Sequence, residues 1–128
     1  MNTLPEQLQR TLSGTPGLRL AFLFGSRAHG SPRPDSDIDI GVLADGPLTT
    51  EQRIDLVERV ADATGLPVDL VDLHGEPEPI LGEALRGFRL FGTTEDYGQL
   101  IYRHVVNVAD FLPLRERILR ERRKAWIG

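Results

Sequence analysis

Seven consecutive residues, Leu18 to Phe24 (LRLAFLF), are nearly all apolar and end on Gly25. A half-exposed strand alternates apolar and polar side chains, whereas a strand carrying apolar groups toward both faces must be covered on both. The run therefore predicts a strand buried on both faces, in a sheet covered by helices. A second strand is predicted from Asp37 to Leu43, where Ile38, Ile40 and Val42 point one way and Asp37, Asp39 and Gly41 the other. A third is predicted over Pro67 to Leu73 (PVDLVDL).

The stretches between them read as helices. Leu4 to Leu12 is a first short helix, stopped by the turn formers Ser13 to Gly17. Thr50 to Thr64 is a second, with Ile54, Val57, Val60 and Ala61 at helical spacing and Gly65 as its stop. Pro79 to Arg86 is a third, followed by a brief apolar stretch, Phe88 to Phe91. From Thr94 a long helix is expected, with Ile101, Val105, Val108, Leu112 and Leu119 on one stripe and Pro113 kinking or interrupting it. The fold class is α/β (α+β), a small mixed sheet flanked by helices with a long C-terminal helix. One domain over 1–128 is expected, with its core at about 18–92 and a helical segment at about 94–125.

Composition narrows the classes. The chain has no cysteine, which excludes disulfides and zinc–thiolate sites and fits a cytoplasmic protein. No apolar run is long enough to cross a bilayer, and MNTLPEQLQR does not read as a signal peptide. A net charge of −4 argues against charge-driven binding to nucleic acid. Between Arg115 and Lys124, however, six basic residues stand against two acidic ones. The simpler account is a solvated final helix whose cations suit the negative end of its dipole; the alternative is a surface for a partner or RNA.

The chemistry is concentrated at two places. Asp37 and Asp39 share one face of a strand, about 7 Å apart. Aspartate is disfavoured in strands, and such close like charges repel unless a cation lies between them; a hard divalent ion with oxygen ligands resolves the conflict. Gly25 and Ser26, separated from Asp37 by ten residues, supply a complementary half. Glycine at a strand end lets a phosphate approach the backbone, while the Ser26 hydroxyl and the free N–H groups of a helical turn form an anion site. Arg27 could add charge there or pair with an Asp. Asp69, alone in an apolar strand, is the preferred third carboxylate, able to ligate metal and accept a proton; Asp72 falls on the opposite face and reads as a strand-end or capping residue.

Other motifs fail. Asp35 to Asp39 begins like a calcium loop, but its sixth position is Ile40 and its twelfth Gly46. No P-loop is present, and His29, His74 and His104 lack metal-ligand spacing.

Gly25-Ser26, ten residues and Asp37-x-Asp39 resemble the signature of the DNA polymerase β-like nucleotidyltransferases. More narrowly, LFGSRAHGSPRPDSDIDIGVL and PVDLVDL resemble the minimal nucleotidyltransferases (MNT) of prokaryotes. Leu81 to Leu85, Leu90-Phe91 and Asp110 to Leu114 are similar to the MntA-type antitoxins of HEPN/MNT toxin–antitoxin pairs. The resemblance implies the nucleotidyltransferase fold and an antitoxin that moves AMP from ATP onto a tyrosine of a cognate HEPN ribonuclease toxin. It further implies Mg²⁺, as two ions, with Asp37, Asp39 and Asp69 as ligands and Gly25 and Ser26 holding the triphosphate. A complex with the toxin is the implied assembly and a homodimer the alternative. Two other functions stay open at this level: an antitoxin acting by contact alone, and a transferase for a small acceptor such as an aminoglycoside.

Overall fold

The computed structural model describes residues 3–28, 37–75 and 78–127; for Ser26 and residues 110–119 and 121–127 it describes the backbone only. Residues 29–36, which join the Gly25 turn to the second predicted strand and include His29, lie outside the described residues. The described chain holds four α-helices, four strands and a 3-10 turn, in the order α1 (Leu4–Ser13), β1 (Leu18–Phe24), the 3-10 turn (Gly25–Arg27), β2 (Ile38–Ala44), α2 (Thr50–Thr64), β3 (Val68–Asp72), α3 (Ile80–Leu85), β4 (Phe88–Phe91) and α4 (Thr94–Ile127).

The sheet has the order β3-β2-β1-β4. Strand β1 runs antiparallel to both β2 and β4, and β2 and β3 are parallel. Parallel neighbours cannot be joined by a tight turn, and α2 provides the crossover between them. Local signals set its ends. Thr49 and Gln52 form a reciprocal capping box, and Gly65 closes the helix at φ +71°, a left-handed conformation that glycine adopts without a Cβ clash. In α1, Thr3 Oγ1 accepts a hydrogen bond from the Glu6 N–H, and Leu8 and Leu12 are buried.

Both faces of the sheet are covered, as the apolar run of β1 requires. One face packs Ala21, Leu23, Ile38, Ile40, Val42 and Leu70 against Leu8 and Leu12 of α1 and Leu56 and Val60 of α2. The other packs Leu20, Phe22, Phe24 and Leu73 against Leu81 and Ala84 of α3 and Leu100 of α4. Full burial of each large side chain contributes roughly 1.5–3 kcal/mol, so the two layers supply most of the driving force.

Three expectations change. The stretch 88–91 is a fourth strand, pairing with the edge of β1 that β2 leaves open. Within α2, Leu56 and Val60 are buried while Ile54 is half exposed to solvent. And α4 is not interrupted at Pro113 but runs as helix to Ile127. Its stripe does not enter the core: Ile101, Val105 and Val108 are 37%, 56% and 42% exposed. The helix is fastened instead by an adjacent face. Tyr97 lies against Phe22 and under Arg89, Leu100 is buried, Arg103 donates to the Leu73 and His74 carbonyls, and Asp96 pairs with Arg19 at 3.1 Å. Among the described residues no helix is long and apolar enough to cross a membrane.

Candidate active site

Where β1 ends, three elements bring the predicted residues to one edge of the sheet. Asp39 lies on β2 directly between Phe24 of β1 and Asp69 of β3, the latter paired with it in parallel register. Identical register on neighbouring strands puts both carboxylates on the same face, the one covered further along by α3 and α4. Asp37 immediately precedes β2 and is exposed; Asp69 is exposed and Asp39 half-buried.

Gly25 is fitted to this carboxylate. Its φ of +73° is left-handed, and a Cβ placed on it would collide with Asp39 Oδ2 and stand 3.2 Å from Cγ. The Asp39 side chain therefore rests against the backbone of the turn. The turn is closed by the Ala28 N–H donating to the Gly25 carbonyl at 3.1 Å. Ser26 contributes backbone at its centre, its side chain lying outside the described residues, and Arg27 ends it half-buried.

The edge is negatively charged. Burial pushes the Asp39 carboxyl above its ordinary value of 3.8, and the charges of Asp69, Asp37 and Glu83 push it further. Glu83 of α3 is the group that sequence reasoning missed. It stands 44 residues from Asp39 in the chain, with no spacing that ties it to the carboxylate pair.

Asp72, the rival third carboxylate, is engaged elsewhere. It is paired with Val42 in register, hence on the opposite face from Asp69. Its Oδ2 accepts from the Leu48 N–H at 2.9 Å and its Oδ1 from the His74 N–H at 3.0 Å. That is a capping role at the end of β3. Asp72→Ala is expected to cost about 1–2 kcal/mol in urea unfolding, the scale of lost charged caps, with catalysis per folded molecule unchanged.

Among the described residues no three His, Cys, Asp or Glu side chains gather tightly enough to hold an ion by themselves. The donor set nonetheless fits magnesium better than calcium or zinc. Mg²⁺ keeps several waters and is bound through one or two carboxylates plus substrate phosphates, not by an all-protein cage. Two aspartates side by side, one with its pKa raised by burial and by the charge of the other, are such a half-site.

A family model described as Polymerase beta, Nucleotidyltransferase matches residues 6–96. The chain belongs to this nucleotidyltransferase family. The match takes in the whole sheet, with the Gly25 turn and the three aspartates. This nucleotidyltransferase is also similar to the protein adenylyltransferase MntA of Shewanella oneidensis, at 39% identity over 82 residues, 63% of this chain and 59% of that protein. The likeness thus spans less than two thirds of the relative's length. The fold is similar to a toxin–antitoxin crystallised with AMP-PNP (TM-score 0.78, 28% identity, 91% of this chain and 96% of that one). It is likewise similar to a tri-AMPylated Shewanella oneidensis HEPN toxin in complex with MNT antitoxin (TM-score 0.71, 27% identity, 92% of this chain and 94% of that one).

Proposed function

We propose that this nucleotidyltransferase is a Mg²⁺-dependent protein adenylyltransferase that silences a HEPN toxin by moving AMP from ATP onto it. The observation that carries the reading is the Asp39–Asp69 pair, set in register on parallel strands, with Asp39 lying against the left-handed Gly25 turn. The similarity to MntA and to toxin–antitoxin complexes supports the protein acceptor.

In this account Asp37, Asp39 and Asp69 hold two Mg²⁺ ions, which when bound offset the charge of the triphosphate. Gly25, bare of a side chain, lets the Asp39 carboxylate lie against the turn, and with Ser26 and Arg27 it offers that turn to the phosphate chain. Asp69, exposed at the rim, takes the proton of the attacking hydroxyl in this proposal. The hydroxyl oxygen bonds to the α-phosphorus as the bond to the bridging oxygen breaks, and pyrophosphate leaves. Positioning and charge stabilisation supply most of the acceleration in such transfers.

The test is the intact mass of a purified HEPN toxin, the proposed acceptor, after incubation with the purified enzyme, ATP and Mg²⁺. A gain of one or more AMP units is expected, and none with EDTA. An unmodified partner that is nonetheless inhibited would favour silencing by contact alone.

A further inference from the structure

Helix α3 carries one charged side chain that its packing does not explain. At about 3.6 residues per turn, successive side chains point about 100° apart. Leu81 and Ala84 are turned into the sheet, buried with Phe22, Phe24 and Leu73. Gly82 is buried on the flank toward α4, where an added Cβ would stand 2.8 Å from His104 Cε1. Glu83 is left on the opposite flank, away from α4, and is exposed. None of the ion pairs among the described residues includes it.

That flank faces the carboxylate edge. Helix α3 lies on the sheet face that carries Asp39 and Asp69. The turn after it is pressed onto the end of β1: a Cβ on Gly87 would stand 3.0 Å from Phe24 Cα, and Phe24 is the register partner of Asp39. Asp39 feels the result, since burial and then the charges of Asp69, Asp37 and Glu83 raise its carboxyl. A glutamate in the first turn of a helix also suits the positive end of the dipole. In a helix of six residues that gain is small, and it does not call for a charge directed at other carboxylates. Like charges so placed disfavour one another unless a cation is set among them.

The position is held firmly. Glu78 Oε2 accepts from the Gly82 N–H at 3.2 Å, and Glu78 Oε1 meets His104 Nδ1 at 2.7 Å, which ties the start of α3 to α4. The contact at Gly82 leaves α3 no room to move toward α4. Such anchoring suits a group that must be aimed. Glu83 does not join a direct ligand cage, because among the described residues no three acidic side chains gather tightly enough to form one. Mg²⁺ keeps several of its waters, and groups that hold a metal's own ligands set their orientation and the ion's affinity.

We infer that Glu83 is a positioning residue for the bound magnesium, accepting hydrogen bonds from the ion's waters across the edge from Asp39 and Asp69. The inference rests on the magnesium site of the function proposed above and is independent of the acceptor. It adds a carboxylate from α3 to those that β2 and β3 bring to the site.

The test uses two variants of the full chain. Glu83→Gln keeps the shape and removes the charge. Glu58→Gln removes an exposed charge from α2, which packs on the other face of the sheet, and controls for net charge. Thermal melts at a fixed concentration of AMP-PNP are titrated with Mg²⁺. Wild type should be stabilised, and Glu83→Gln should need on the order of 10-fold more Mg²⁺ to reach half of that stabilisation, the scale of losing one such outer partner. At saturating Mg²⁺ the two should reach the same limit. Glu58→Gln should match wild type within about twofold. In EDTA, Glu83→Gln should be at least as stable as wild type, because a like charge has been removed. A Mg²⁺ requirement within about twofold of wild type, or an increase that Glu58→Gln shares, would overturn the inference. So would an unchanged requirement with lower stability in EDTA, which assigns Glu83 to the helix dipole alone. A wild type that gains no stability from Mg²⁺ would remove the proposed magnesium site itself, and the inference with it.

Discussion

Asp39→Asn is expected to abolish AMP transfer, by on the order of 10³-fold or more, while making the metal-free protein more stable. The first effect follows from the several kcal/mol that a metal at a phosphoryl centre supplies. The second follows from linkage. Burial and the charges of Asp69, Asp37 and Glu83 raise the folded-state pKa of Asp39 above 3.8. A raised pKa contributes stability that is fully present below the unfolded value and is lost as pH rises through the folded one. At neutral pH, ionised Asp39 is therefore a burden on the empty protein. Asparagine, nearly the same shape and uncharged, removes it. Thermal melts across pH check the sign: wild type in EDTA should lose stability relative to Asp39→Asn as pH climbs out of the acid range. Adding Mg²⁺ with ATP should stabilise wild type and not the variant. A variant that is less stable than wild type without metal would show that Asp39 is held by favourable contacts and not by a repulsive cluster.

Gly25→Ala should be nearly as damaging, by a different physical cause. The backbone at this position has φ +73°, and the added methyl would overlap Asp39 Oδ2. A non-glycine residue in this region costs about 1–2 kcal/mol before any clash is counted, so a loss of roughly 1–3 kcal/mol in urea unfolding is expected. Relief of the overlap displaces either the turn or the carboxylate. A misplacement of about 1 Å at a reacting centre can cost about 10²-fold in rate. AMP transfer measured at saturating ATP, under conditions where the variant is folded, should fall by that order. Transfer within twofold of wild type would mean that the Gly25–Asp39 contact has no part in the reaction.

The features legible in the sequence were those fixed by local chemistry. The end of α2 followed from Gly65, because a cap acts within a single turn. The opposite facing of Asp69 and Asp72 followed from strand periodicity, and the register Asp39–Asp69 and Val42–Asp72 agrees with it. What was not legible depends on neighbours distant in sequence. Four residues, FRLF, carry no strand signal of their own and became β4 only because β1 had a free edge. Ile54 and Leu56 are equally apolar, and only the placement of α2 on the sheet buries Leu56 and leaves Ile54 outside. The stripe of α4 has the spacing of a core face yet lies in solvent, since periodicity shows that a face is apolar and not what covers it. Glu83 reaches the site through α3, by a route no spacing encodes.

The central claim is that the Gly25 turn and the Asp39–Asp69 edge transfer a nucleotidyl group to a protein. It is tested most directly by following the two ends of the ATP separately. Parallel reactions would contain wild-type enzyme, Mg²⁺, a HEPN toxin as the proposed acceptor, and ATP labelled at either the α- or the γ-phosphate. The account predicts that α-label becomes covalently attached to the partner while γ-label is released as pyrophosphate, and that Asp39→Asn transfers neither. Attachment of the γ-label, or undiminished α-label transfer by Asp39→Asn, would contradict it.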